Sequence, residues 1–285
     1  MNKFNPSEYL TGLNVDTMHF GLKAITELMS RLGNPQNSYK TILIAGTNGK
    51  GSTAAMTASI LCSAGYKVGL YTSPHLIDVR ERIVVNGKKI SLREFNRFIA
   101  YVKSIIKQPM TYFEFITAVA FIYFQRQKVD IAVLEVGLGG RLDATNVCKP
   151  LVSVITNIAF DHTEYLGNTL ESITREKAGI IKQNGICVTA AKQKKVLEIL
   201  ENVCLHRRAK LYCQERDIKL KKQKDGLFTY RGFNRNLKNL TIPLRGEHQL
   251  SNAALALAAV ELCGENGFVF FGGSEICGQQ PRSAW

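Results

Sequence analysis

The chain has 285 residues, 45% of them hydrophobic and 21% charged, with a formal net charge of +14. At roughly 150 residues per domain this is about two domains, or one large α/β unit with an appendage, and a peptide hormone, a disulfide scaffold and a largely disordered chain are excluded. No apolar run reaches the ~18 residues of a membrane span, and Met1 to Leu10 has neither the apolar stretch of a secretory signal nor the Arg-rich pattern of a transit peptide, so a cytoplasmic protein with no membrane partner is expected.

Along the chain, the first strong signal is the β-branched run Thr41 to Ala45, which ends in Gly46-Thr-Asn-Gly-Lys-Gly-Ser52 and is followed by Met56, Ile60 and Leu61 at helical spacing. This reads as strand, glycine loop, helix. Lys67 to Tyr71 is a second strand, and Ser91-Leu-Arg-Glu94 is a capping box that opens a helix. Thr111 to Gln127 has the aromatic and aliphatic spacing of another helix. Strands follow at Asp130 to Val136, Leu151 to Thr156 and Ile186 to Thr189, with a helix capped by Asn168-Thr-Leu-Glu171 that runs to about Lys182. Such alternation predicts an α/β fold, a mostly parallel sheet covered by helices on both faces. From about Leu211 to Leu244 the runs become short and alternating, broken at Asp225-Gly226 and Arg231-Gly232, which predicts a small antiparallel β addition. His248 to Cys263 returns to helix.

Seven cysteines, at 62, 148, 187, 204, 213, 263 and 277, are odd in number and never form a metal-type pair, so they read as reduced thiols. The positive charge is local, with fifteen Lys and Arg against five Asp and Glu between Lys182 and Lys238. A nucleic-acid groove and a solvated face that attracts anionic small molecules both fit such a block. No recognition motif accompanies the charge, so the solvated face is preferred and no nucleic-acid partner is expected.

Backbone N–H groups in a glycine loop at a helix N-terminus form an anion site, a lysine adds charge to the outer phosphates, and a hydroxyl can take Mg²⁺. Gly46, Thr47, Asn48, Gly49, Lys50, Gly51, Ser52 and Thr53 supply all of these parts after a strand. The pattern departs from G-x-x-x-x-G-K-[ST] because Ile44 takes the first glycine position and Gly51 separates Lys50 from the hydroxyls. The plain alternative is a strand-to-helix turn with incidental glycines. In an open α/β sheet the site lies beyond the carboxyl ends of the strands. There Glu135 interrupts a buried run just before Gly137-Leu-Gly-Gly-Arg-Leu-Asp143, and Asp161-His162 follows the next strand, with Lys177 in the helix after it. Each alone has a structural explanation as a paired core Glu, a capping Asp, a backbone-bonded His or a surface Lys. Their joint placement beside the loop points to one Mg·nucleotide centre.

Seven segments occur in order: Gly46 to Thr53, Thr72-Ser-Pro-His-Leu76, Tyr112-Phe-Glu-Phe115, Leu134-Glu-Val-Gly-Leu-Gly-Gly-Arg-Leu-Asp-Ala-Thr-Asn146, Asp161-His-Thr-Glu-Tyr-Leu-Gly167, Arg175-Glu-Lys-Ala-Gly-Ile180 and Gly246-Glu-His-Gln-Leu-Ser-Asn-Ala-Ala254. Together, from about Phe20 to Phe268, they resemble folylpolyglutamate synthase, often bifunctional with dihydrofolate synthase, of the Mur ligase superfamily. The resemblance implies an ATP-dependent ligase that adds L-glutamate to tetrahydrofolate, folylpolyglutamate or dihydropteroate through an acyl phosphate, acting as a monomer. It implies that Lys50 and the loop amides hold the ATP phosphates and that Ser52 with Glu135 binds Mg²⁺. It further places Ser73 and His162 near the metal, makes Lys177 a carbamylated lysine, sets Asn252 at the nucleotide, and puts Ser73 to Arg82 with Tyr112 to Phe115 on the folate side. Arg80 stands where the family usually has Asn.

Members of that family continue into a second α/β domain. The expectation here is an ATP-binding domain over 1–270, an atypical tail over 271–285 and no C-terminal domain, from a frameshifted or otherwise truncated gene, so that this chain alone ligates glutamate negligibly. An inactive nucleotide-binding remnant and another Mur-type amide ligase are the competing readings.

Overall fold

The computed structural model describes residues 6–13, 21–223, 227–242 and 244–264. Two short helices, α1 (Pro6–Thr11) and α2 (Lys23–Arg31), precede β1 (Lys40–Ala45), which feeds through the glycine loop into α3 (Lys50–Ser63). Then come β2 (Val68–Tyr71), a small hairpin of β3 (Ile83–Val85) and β4 (Lys88–Lys89), α4 (Leu92–Ile105), α5 (Tyr112–Gln127), β5 (Ile131–Glu135) and β6 (Val152–Ile155). After these follow α6 (Thr163–Leu166), α7 (Leu170–Ala178), β7 (Ile186–Thr189), α8 (Lys194–His206), β8 (Lys210–Cys213), β9 (Lys219–Lys222), β10 (Phe228–Arg231), β11 (Asn236–Leu240) and α9 (His248–Cys263).

The main sheet has the order β4-β3-β2-β5-β1-β6-β7-β8. The six strands from β2 across to β8 pair in parallel, and at the edge β3 pairs antiparallel with β2 and with β4. The fold class read from the sequence therefore stands. β1 sits between β5 and β6, so its loop opens between the ends of the two strands that carry Glu135 and Thr156. One face of the sheet is covered by α2, α4, α5, α7 and α8, with Phe115, Phe121, Phe124 and Ile116 fully buried. The other face is covered by α3 and α9, with the β9–β11 sheet packed against α9. The alanines of α9 let it pack closely on α3, and the Tyr230 hydroxyl donates to Glu261 at 2.8 Å, tying the small sheet to α9.

The structure corrects several boundaries. Lys210–Cys213 pairs parallel with β7 and belongs to the main sheet, so the antiparallel addition begins at Lys219. The reason is α8, which the sequence reading passed over: a strand that follows a crossover helix returns parallel. The turn expected at Asp225-Gly226 lies outside the described residues, as do Cys277 and the tail 271–285. The six described cysteines are free thiols, as expected.

The helix capped at 168–171 is shorter than expected. Its cap is Thr169, whose hydroxyl accepts the Ser172 N–H at 3.0 Å, and it ends at Ala178. It stops there because Arg207 donates to the carbonyls of Ala178, Gly179 and Ile181, satisfying the helix end without further turns. At Ser91 only half of a capping box forms, since the Glu94 carboxylate takes the Ser91 hydroxyl. A complete box forms at Thr111, where Glu114 accepts the Thr111 N–H at 2.9 Å. No helix among the described residues is long and apolar enough to cross a membrane.

Candidate functional site

The loop after β1 is built on two glycines with positive φ, Gly46 at 147° and Gly49 at 82°. Gly46 turns the chain against Thr156, whose hydroxyl occupies the place a side chain at 46 would need. Gly49 is the N-cap of α3 and packs on the Asn252 amide of α9 in the same way. A Gly46→Ala substitution is expected to lower stability by about 2–4 kcal/mol, from overpacking against Thr156 in a strained backbone, as read by urea denaturation.

The loop amides divide into two groups. Thr47 N–H donates to the Asn157 carbonyl at 3.0 Å and Asn48 N–H to Asn157 Oδ1 at 2.9 Å, so both are already engaged. The amides of Gly49, Lys50, Gly51 and Ser52 make no hydrogen bond among the described residues, and Thr53 N–H begins the helical ladder by bonding Gly49 O. Four consecutive free N–H groups at the start of a 14-residue helix form an anion site. Two lysines flank it. Lys50 Nζ donates to the carbonyls of Gly46 and Thr47 at 3.1 Å each, and Lys177 Nζ donates to the same Gly46 carbonyl at 2.9 Å. Their nitrogens therefore lie within about 6 Å of one another.

Lys177 is 2% exposed, and burial, aided by the Lys50 charge and opposed by Asp161, brings its amine down to about 8. Glu135, at the end of β5, is 4% exposed, and burial pushes its carboxyl up to about 7 against the pull of the Ser73 N–H, Lys50 and Arg82. Its Oε2 accepts the Ser73 N–H at 2.9 Å, while Oε1 accepts no hydrogen bond among the described residues. Both oxygens face the first turn of α3, lying 3.5 Å from where a Cβ on Gly51 would stand.

This donor set fits a hard divalent ion. A buried carboxylate with a free oxygen stands beside the half-buried Ser52 on the same turn, and Mg²⁺ is usually held by one or two carboxylates with substrate phosphates completing the shell. Among the described residues no group of three His, Cys, Asp or Glu forms a ready cage, so these residues supply only part of such a shell.

Ser73 meets Glu135 through its main chain rather than its hydroxyl. Thr53 is fully buried in α3 and its hydroxyl has no partner among the described residues. His162 has φ 46°, its side chain half exposed and 3.5 Å from Asp161; no hydrogen bond or ion pair joins it to Ser52, Glu135 or Lys177 among the described residues. A non-glycine residue in that region costs about 1 kcal/mol, so the surroundings hold it there. Asn252 is 6% exposed against the loop, its amide donating to Gln249 at 2.9 Å.

Three features escaped the sequence reading. Asp143 is buried and accepts the N–H groups of Gly137, Leu138 and Thr145 at 2.9–3.0 Å, which folds the glycine-rich turn after Glu135. Arg82 donates to His75 Nδ1 at 2.9 Å and lies over the Tyr112 ring at 5.6 Å, joining the two segments expected on the folate side. Thr156 and Asn157 hold the loop itself. The signal for this last pair was available, since both follow a strand at its carboxyl end, but Asp161-His162 just beyond offers the more reactive chemistry. In the same region Leu76, Ile77 and Phe160 expose large apolar side chains. Arg80 is tied back to Asp78 by its guanidinium, which lowers the Asp78 carboxyl to about 2.

The family model of the Mur ligase middle domain matches residues 44–260. The dihydrofolate synthase/folylpolyglutamate synthase of Bacillus subtilis is 38% identical over 279 residues, covering 93% of this chain, and the chain spans 64% of that protein's length. A solved FPGS-AMPPCP-folate complex superposes with a TM-score of 0.85 at 33% identity, covering 93% of this chain and 68% of that one. A bifunctional folylpolyglutamate synthase/dihydrofolate synthase solved with Mn, AMPPNP and L-glutamate gives a TM-score of 0.80 at 35% identity, over 90% of this chain and 61% of that one. The matched span contains the glycine loop, Glu135, Lys177 and Asn252 in one continuous unit, and the chain belongs to the Mur ligase family, in its folylpolyglutamate and dihydrofolate synthase group.

Proposed function

We propose that the protein is a ligase that uses Mg²⁺ and ATP to add L-glutamate to the carboxylate of tetrahydrofolate or folylpolyglutamate, with dihydropteroate as a further acceptor. The single observation that carries this reading is the meeting of Lys50 and Lys177 on the Gly46 carbonyl, beside four free amides at the start of α3 and the buried Glu135. The names of the relatives supply the substrates. In this reading residues 1–270 form the ATP-binding domain, and the protein works as a cytoplasmic monomer on small molecules, with neither nucleic acid nor membrane as partner.

The amides of Gly49 to Ser52 and the Lys50 charge would bind and orient the triphosphate, while Asn252 fixes its nucleoside end. Glu135 and the Ser52 hydroxyl would hold Mg²⁺, which when bound offsets the charge of the phosphates, and His162 and Ser73 border that centre. A carboxylate oxygen of the acceptor attacks the γ-phosphorus and ADP leaves. The neutral amine of L-glutamate then attacks the acyl carbon, the C–O electron pair departs with inorganic phosphate, and the N–H proton passes to that phosphate or to water. Such chemistry asks for positioning and charge neutralisation more than for a protein nucleophile, consistent with a site of amides, lysines and one carboxylate. Incorporation of labelled glutamate into tetrahydrofolate by the whole protein, dependent on ATP and a divalent ion, tests the reading. Nucleotide binding with no folate-dependent turnover by a protein of the relatives' full length would leave it without its substrates.

We also assign Lys177 as the carbamylated lysine. Burial and the neighbouring Lys50 press it towards the neutral amine, the form that attacks carbon dioxide to give a carbamate anion and a proton. The anion would replace two close positive charges by an opposite pair. Labelled bicarbonate is expected to give a carbamate carbon resonance that is absent from Lys177→Gln. An identical spectrum from the variant contradicts the assignment.

A further inference from the structure

We propose that the end of β6, Thr156 to Ala159, is the positioning element of the phosphate loop, and that Thr156 and Asn157 set which loop amides are free to bind phosphate. The inference rests on the nucleotide reading above. Asn157 takes two successive N–H groups, Thr47 on its carbonyl at 3.0 Å and Asn48 on Oδ1 at 2.9 Å. Thr156 Oγ1 donates to the Asn48 carbonyl at 2.7 Å, and its main-chain N–H holds Ala45 O at 2.9 Å. Thr47 closes the arrangement from the other side, its hydroxyl lying 3.1 Å from Ala159 O and 3.0 Å from Ala159 N–H.

Thus both ends of the 47–48 peptide segment are held by neighbouring chain more than a hundred residues away. Two consequences follow from the geometry. The first is that the free amides begin at Gly49, because those of Thr47 and Asn48 are consumed. The second concerns the carbonyls of Gly46 and Thr47, which accept Lys50 Nζ and, at Gly46, Lys177 Nζ. A loop released from β6 could rotate these peptides and send the two lysines elsewhere, so Thr156 and Asn157 act on phosphate through the loop and the lysines. Preorganisation of this kind changes ligand affinity without any contact to the ligand.

The test compares Thr156→Val, which keeps the shape of the side chain but removes the donor, with Asn157→Ala and the conservative Thr156→Ser. Calorimetry with ATP and with inorganic tripolyphosphate, a probe with no nucleoside, is run beside thermal unfolding and amide hydrogen exchange. Thr156→Val and Asn157→Ala are expected to weaken both ligands by about tenfold and by the same factor, with Thr156→Ser restoring most of the loss. In Asn157→Ala the Asn48 amide should lose its protection from exchange while the strand amides of β1 and β6 keep theirs. Asn157 is only half buried, so this variant should fold even if Thr156→Val does not. Affinities within twofold of the parent in a folded Asn157→Ala overturn the proposal, as does a loss for ATP that tripolyphosphate does not share. A parent protein that binds neither ligand would instead remove the nucleotide reading on which the proposal depends.

Discussion

Lys50→Ala is expected to weaken ATP binding by about a hundredfold while leaving the fold intact, because a charge-assisted contact to phosphate in a half-buried loop is worth about 3 kcal/mol. Lys50 contributes two hydrogen bonds, to the carbonyls of Gly46 and Thr47, and the loop does not depend on either. The bonds of Thr47, Asn48, Thr156 and Asn157 still fix its path. Removing the amine also relieves Lys177 of the nearby charge that lowers its pKa, so Lys177 should become more basic in the variant. Full retention of ATP affinity would mean that the anion is held by the helix amides alone, and that the loop is a turn whose lysine is incidental.

Glu135→Gln is expected to separate binding from stability in opposite directions. The amide keeps the volume but cannot neutralise a divalent ion, so the gain in ATP affinity brought by Mg²⁺ should disappear. The free protein should meanwhile become more stable above neutral pH. The unfolded Glu135 carboxyl titrates near 4.5 and the folded one near 7, so between these values the folded state binds more protons and stability falls as pH rises. The full cost is present above pH 7 and is about 3 kcal/mol for such a shift. The substituted amide never ionises, so the variant's advantage should vanish below about pH 4 and reach its maximum near pH 8, as read by denaturation at both pH values. A variant less stable than the parent at that alkaline pH would mean that Glu135 is already satisfied without a metal.

Much of this architecture could be read before any coordinates. The β-branched runs at 41–45, 130–136, 151–156 and 186–189 each became a parallel strand, because buried strands need continuous apolar residues whatever covers them. Boundaries that depended on long-range partners were not legible. Nothing local in Leu170 to Lys182 announces that Arg207 ends the helix at Ala178, and nothing in Lys210 to Cys213 distinguishes a main-sheet edge from a hairpin arm once α8 has been missed. At the site, Lys50, Glu135 and Lys177 were chosen for their chemistry, and the fold does bring Lys50 and Lys177 to one carbonyl and Glu135 to the first turn of α3. His162 was chosen on the same ground, and its half-exposed side chain lies 3.5 Å from Asp161. Thr156 and Asn157 were overlooked because their contribution is geometric: ordinary polar residues gain meaning only from the loop they hold.

Titration of the protein with AMPPNP in Mg²⁺ and again in EDTA tests most directly whether the free amides, the paired lysines and Glu135 form one metal-assisted nucleotide site. Binding of one nucleotide per chain, at least about tenfold tighter with Mg²⁺, is the predicted result. Absence of saturable binding at millimolar nucleotide, or an affinity that EDTA leaves unchanged, would contradict it.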